Sequence, residues 1–149
     1  MFTMKYVSPG ELKSFPNYSY YRDELKEDEW KTFLDGTRIY GLLESVVTTD
    51  DNIILYGHDT VRAALELEIY EIPVTVKKCV SEEDTMRSFL ELNNFFGRNK
   101  RKENPKKSAR CYKELMKIYG IRQGSRNPKG VVVGEPVNGE TYKRLTRDM

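Results

Sequence analysis

The sequence predicts an α/β (α+β) fold: a small mixed sheet with flanking helices, followed by a basic helical segment. Three observations carry this. The apolar run Ile54-Leu55-Tyr56 stops at Gly57, a helical pattern starts at once, and a second apolar run follows at Ile72-Pro73-Val74-Thr75-Val76. That is the strand, turn, helix, strand order of an α/β unit. Residues 43–56 read as a hairpin, because Glu44-Ser45-Val46-Val47-Thr48 and Ile53-Ile54-Leu55-Tyr56 flank a turn at Asp50-Asp51-Asn52. Between Asn104 and Gly120, apolar and basic residues each recur at steps of three and four, which predicts a two-faced helix.

The elements follow in order. Met4-Lys5-Tyr6-Val7 is a short strand, and Ser8-Pro9-Gly10 turns the chain. Phe15-Pro16-Asn17-Tyr18 reads as an extended loop, since Pro16 blocks a helix there. An acidic helix is expected over 23–35, with Leu25, Trp30, Phe33 and Leu34 apolar and Gly36 as its stop. After the hairpin, a helix over about 60–68 turns Val61, Ala64, Leu65 and Leu67 inward, and the strand 72–77 follows. Ser81 caps the next helix, with Asp84 three residues on and Met86, Phe89 and Leu90 as its stripe. Asn104-Pro105 is a cap followed by a first-turn proline. Beyond it Ala109, Tyr112, Leu115, Met116 and Tyr119 form the apolar face, and Gly120 ends the helix. Three segments result: a core over 1–92, a basic helical segment over 93–120, and a basic linker and tail over 121–149.

Composition narrows the function classes. A chain of 149 residues can bury a core without staples. No apolar run approaches the ~20 residues of a membrane span, and Met1-Phe2-Thr3-Met4-Lys5 lacks the pattern of a signal peptide. Cys79 and Cys111 are expected to be reduced, buried thiols of a cytoplasmic protein. One histidine and no paired cysteines argue against a metal site. The net charge of +2 hides an asymmetry. Residues 1–92 hold 10 Lys/Arg against 18 Asp/Glu, a net of −8, whereas 93–130 hold 12 against 2, a net of +10. An acidic body joined to a basic segment suits a polyanion partner, DNA above all. The competing reading is a solvated basic face.

The order of motifs resembles the N-terminal domain of the ParB-like family, over roughly residues 4–120. Gly41-Leu42-Leu43-Glu44-Ser45-Val46 lies where the family has a Gly-Ile/Leu-Leu-x-Pro-Ile/Val segment. Gly57-His58-Asp59-Thr60-Val61-Arg62-Ala63-Ala64 lies where it has Gly-Glu/His-Arg-Arg-x-x-Ala-Ala. Glu71-Ile72-Pro73-Val74 fits its next strand, and Leu92-Asn93-Asn94-Phe95-Phe96-Gly97-Arg98 sits at its Glu-Asn-x-x-Arg motif. The resemblance implies a ParB/sulfiredoxin fold and a cytoplasmic, nucleoid-associated DNA binder: a partition or transcription regulator of a plasmid, phage or mobile element. A homodimer is compatible with it. It also implies CTP, with or without Mg, as the ligand, with Gly41, Gly57, His58, Arg62, Asn94 and Arg98 as nucleotide-binding positions. The departures are specific: Asp59 and Thr60 replace the arginines after the glycine, Ser45 replaces a proline, and Asn94 to Arg98 is one residue longer than usual. Sulfiredoxin has its catalytic cysteine at the place of Gly57, so that chemistry is excluded on this alignment.

For DNA, the expected phosphate contacts are Arg98, Lys100, Arg101 and Lys102 before the helix, then Lys106, Arg110, Lys113 and Lys117 along it. Cations in a line follow a backbone without choosing sequence. Asp59 is expected as an N-cap, Tyr112 and Tyr119 as core, and Arg22 as the functional residue of its tyrosine-rich loop. Thr141-Tyr142-Lys143-Arg144-Leu145 resembles the opening of a recognition helix, so a partial helix-turn-helix is one reading of the tail. The alternative function is a nucleotide-dependent enzyme, a CTPase, kinase or nuclease, built on the Gly57 turn.

Overall fold

A computed structural model describes residues 2–96 and 104–120, apart from the side chain of Phe96. The expected contacts Arg98, Lys100, Arg101 and Lys102, the linker and the tail lie outside the described residues. The strands are β1 (Phe2–Val7), β2 (Val47–Thr49), β3 (Ile54–Tyr56) and β4 (Ile72–Lys77). The helices are α1 (Tyr18–Tyr21), α2 (Glu27–Tyr40), α3 (His58–Glu66), α4 (Glu82–Glu91) and α5 (Pro105–Tyr119). A 3-10 turn spans Pro9–Glu11, and a π-helical turn, Leu92–Phe96, continues α4.

The sheet is mixed, in the order β1-β4-β2-β3. β4 pairs antiparallel with β1 and parallel with β2, and β2 pairs antiparallel with β3 across the turn that the sequence marks. Period-two alternation sorts the side chains between two faces. Ile72, Val74 and Val76 join Val7, Val46, Ile54, Val61 and Ala64 on the side of α3. Leu55 meets Phe15, Tyr21, Phe89, Leu90, Cys111 and Leu115 in a second cluster with α1, α4 and α5. Phe89 lies at the middle of that cluster. It stacks on Phe15 with ring centroids 3.9 Å apart and meets Tyr18 and Tyr21 edge-on.

Local chemistry fixes the helix ends. The Ser81 hydroxyl accepts from the Asp84 N–H at 3.0 Å, and the Asn104 side chain accepts from the Lys106 N–H at 2.9 Å. Gly120 ends α5 in the left-handed conformation. At the start of α4, burial alone would raise the Asp84 carboxyl. Hydrogen bonds from Arg87, the Val80 N–H and Lys77 outweigh burial and hold its pKa at about 2.

Several expectations shift. The acidic helix starts at Glu27 and runs through Gly36, stopping at Gly41, whose φ of 91° supplies the break. A Cβ on Gly36 would lie 3.1 Å from the Leu43 side chain, so that glycine serves close packing rather than a stop. The loop after Pro16 forms the short helix α1, which Asn17 enters through a left-handed φ of 59°. Gly57, not Asp59, is the N-cap of α3. Leu65 is exposed, while Ala63 takes its place inside. On α5 the buried residues are Cys111 and Leu115, and Tyr112 is 54% exposed, so Tyr112 is not core. The seam is rotated because Cys111, read as an ordinary position, packs inward with its thiol against the Tyr21 carbonyl. Cys79 is half-buried rather than buried, and both cysteines are free thiols.

Replacing Phe89, which is fully buried, leaves an aromatic-sized void. The variant Phe89→Ala is expected to lose about 3–5 kcal/mol of stability, read from urea unfolding midpoints.

Candidate functional site

The motif positions gather at the end of β3, where the chain turns into α3. Gly57 makes that turn with φ 97°, a conformation costly for any residue with a Cβ. A Cβ there would also lie 2.7 Å from the Ser45 carbonyl oxygen and 3.0 Å from Val46 Cα. Ser45 and Val46, the end of the first motif, thus run directly against the glycine turn, which joins the first two motifs. Gly41 itself is at the exposed end of α2, with open space where a Cβ would be.

His58 is turned into the protein. Its Nε2 accepts from the Phe15 N–H at 3.2 Å, and its ring stacks on Tyr18 at 3.9 Å. Nε2 is therefore unprotonated, and the ring proton resides on Nδ1, a buried atom without a hydrogen-bond partner among the described residues. Burial first, and the positive charge of Arg22 second, push the imidazole pKa down to about 4. A proton on Nε2 would also face the Phe15 N–H, donor against donor. His58 thus acts as a neutral acceptor that locks the Phe15 loop onto α3.

The third motif also folds inward, through Asn93 rather than Asn94. The Asn93 amide donates to the carbonyls of Leu55 and Phe89 at 2.8 and 2.7 Å. The main-chain carbonyl of Asn93 accepts from Arg22 Nη1 at 3.0 Å, and Arg22 is only 7% exposed. The Asn94 amide donates to Leu90 on its own helix. Arg62 lies over the Trp30 ring of α2, 3.7 Å from its centroid, and holds α2 against α3. So Gly57, His58 and Asn93 converge, Gly41 stays at the exposed end of α2, and Arg62 and Asn94 point to other duties. Sequence reasoning assigned no role to Glu91. It is 2% exposed and accepts from the Tyr119 hydroxyl at 2.6 Å, and burial raises its pKa. An acid on the apolar side of a helical stripe was the available signal.

The first turn of α3 offers little to a nucleotide phosphate. It carries Asp59, the charge that a helix N-terminus attracts in place of an anion. His58 and Arg62 are committed elsewhere, and no cluster of three His, Cys, Asp or Glu able to hold a metal occurs among the described residues. Among the described residues, CTP with Mg would meet the Gly57 turn, the α3 N-terminus and the buried Arg22, while Arg98 lies outside them. These residues do not build a nucleotide site by themselves.

The basic residues of α5 make a second surface. Lys106, Arg110, Lys113 and Lys117 fall within about 60° of arc at ~100° per residue, opposite Cys111 and Leu115. Lys106, Lys113 and Lys117 are exposed. Arg110 lies over the Tyr20 ring at 4.3 Å and donates to the Tyr20 carbonyl at 3.1 Å, at the border of the stripe. Lys107, off the stripe, bonds Asp23 at 2.8 Å and the Arg22 carbonyl at 3.2 Å. The helix thus uses Lys107 and Arg110 to anchor itself and turns Lys106, Lys113 and Lys117 outward.

The chain holds a single histidine, so its titration can be read without assignment. The ring resonances are expected to titrate near pH 4 by NMR, not near 6.5. The folded pKa is depressed, so the stabilising contribution is complete above about pH 6.5 and declines as pH falls toward 4. His58→Gln, which keeps an acceptor, should flatten that part of the stability–pH curve.

No protein-family model and no curated protein sequence matches the chain. Solved structures do. The C-terminally truncated chromosome-partitioning protein ParB from Caulobacter crescentus, complexed with CTP-gamma-S, is similar with TM-score 0.53 and 18% identity, over 81% of this chain and 67% of that one. Two structures of a pNOB8-like ParB N-domain give TM-scores of 0.63 and 0.62 at 12% and 11% identity. Each match covers 99% of this chain, which spans 61% and 57% of those domains. Among the described residues, no helix is long and apolar enough to cross a membrane. The mixed four-stranded sheet with flanking helices is the fold of the ParB N-terminal domain.

Proposed function

We propose that this chain is a ParB-like, DNA-associated protein that holds DNA by its phosphate backbone, as part of partition or transcription control on a plasmid, phage or other mobile element. The observation that carries the reading is the outward stripe Lys106, Lys113 and Lys117, bordered by Arg110, on a helix anchored by its other face. Phosphate contacts of this kind release counterions and give affinity with little sequence choice. The cations at Arg98, Lys100, Arg101 and Lys102 belong to the same proposal on charge alone. An enzymatic role for the Gly57 turn has less support, because the charged side chains beside it are neutralised or engaged.

Duplex affinity is expected to fall steeply with salt, with a slope of about −0.9 per phosphate contact. Arg110→Glu with Lys113→Glu should abolish binding at moderate salt. Lys113→Glu with Lys117→Glu, which leaves the Tyr20 contact in place, should weaken it and lower the slope by about 2. Fluorescence anisotropy at two salt levels reads both. Unchanged affinity in both variants would exclude the stripe. Added CTP should leave the curves unmoved, and a CTP-dependent shift would favour the nucleotide reading.

A further inference from the structure

β1 is the outermost strand of the sheet, paired with β4 along one edge only among the described residues. Edge strands in soluble proteins are usually guarded by charge, proline or a bulge. The one charge on this strand, Lys5, lies on the face it shares with Val7, and the other face carries no charge, proline or bulge. Phe2, Met4 and Tyr6 share that face at period two and are 57%, 67% and 63% exposed. Large apolar side chains aligned on an open edge are the surface that association covers. The register with β4 runs unbroken from Phe2↔Lys77 to Val7↔Ile72, so the edge is straight enough to accept another strand.

We infer that this edge receives β1 of a second copy, antiparallel, with the two-fold axis at Met4. The strand's own sequence selects that occupant and that register. Directly opposed residues in an antiparallel pair lie on the same face. Centred on Met4, Phe2 faces Tyr6, Met4 faces Met4 and Thr3 faces Lys5, so every apolar side chain meets an apolar one and no like charges meet. Centring on Lys5 sets lysine against lysine, which is unfavourable. Centring on Thr3 leaves Tyr6 without an apolar partner. A register shifted by one mixes the two faces and puts Phe2 against Lys5. The Met4-centred contact is isologous and closes after two copies. It joins two four-stranded sheets into one continuous sheet, with both apolar rows side by side. It uses no residue of α5, so it is independent of the DNA reading.

The test is sedimentation velocity over a concentration series, with Met4→Lys and Met4→Cys beside the parent chain. The expected result is a concentration-dependent dimer. Met4→Lys, which places like charges across the axis at an exposed position, should weaken it by about tenfold or more while the circular dichroism spectrum stays unchanged. Met4→Cys should form a disulfide-linked dimer under mild oxidation. Lys5→Cys, which faces Thr3 in this register, should not, and the parent chain controls for Cys79 and Cys111. A chain that stays monomeric throughout overturns the inference. So does a dimer that Met4→Lys leaves intact and Met4→Cys fails to cross-link, since another surface would then hold it.

Discussion

The buried guanidinium of Arg22 is the group on which the arrangement turns. A charge taken out of water is tolerated only where hydrogen bonds receive it. Here Nη1 donates to the Asn93 carbonyl, while the Asn93 amide reaches back to Leu55 on β3 and Phe89 on α4. One small polar junction therefore ties the loop after α1, the central sheet and the π-helical turn that follows α4. Its charge also contributes to keeping His58 neutral, which lets Nε2 accept from Phe15 and close the glycine turn. The Arg22 carbonyl and the neighbouring Asp23 then receive Lys107. That contact, with Cys111 and Leu115 in the core and Tyr119 on Glu91, sets the rotation of α5 about its own axis. Its cationic stripe faces solvent as a consequence.

Two regions that share the fold thus have different characters. The glycine turn is built with little slack: Gly57 has backbone where a Cβ would be, His58 is stacked and hydrogen-bonded, and Arg62 is laid on Trp30. These features make a rigid junction, with Asp59 supplying negative charge at the helix end. The outer face of α5 is the reverse, with the long exposed side chains of Lys106, Lys113 and Lys117 on a fixed support, Lys117 lying 3.7 Å from the Glu114 carboxylate. Phosphates meeting such a surface gain from rigidity beneath and from adjustable ends above.

Much of the fold was legible because it follows from alternation and end signals. The strand 72–77, the hairpin turn at Asp50-Asp51-Asn52, the Ser81 and Asn104 caps and the Gly120 stop each depend on local chemistry that a sequence displays. The misses have a common cause. Gly36 looked like a stop, yet a helix passes through a glycine when packing against Leu43 favours a small residue. Tyr112 looked like core, yet Cys111 and Leu115 took the seam, since the rotation of α5 depends on Lys107 meeting Arg22 and Asp23, far earlier in the sequence. Family likeness located the turn at Gly57 and the asparagine motif, but side-chain roles there depend on neighbours. That His58 points inward follows from Phe15 and Tyr18, and that Asn93 rather than Asn94 spans the junction follows from the register of the π-helical turn.

The outward basic stripe is tested most directly by lysine acetylation footprinting, read residue by residue with and without duplex DNA. Lys106, Lys113 and Lys117 are expected to lose reactivity on binding. Lys107, held by Asp23, should react slowly in both states, and the exposed Lys26 and Lys31 beside the acidic stretch of α2 should react equally in both. Protection of Lys26 and Lys31 with Lys106, Lys113 and Lys117 left reactive would contradict the assignment of α5 as the DNA-facing surface.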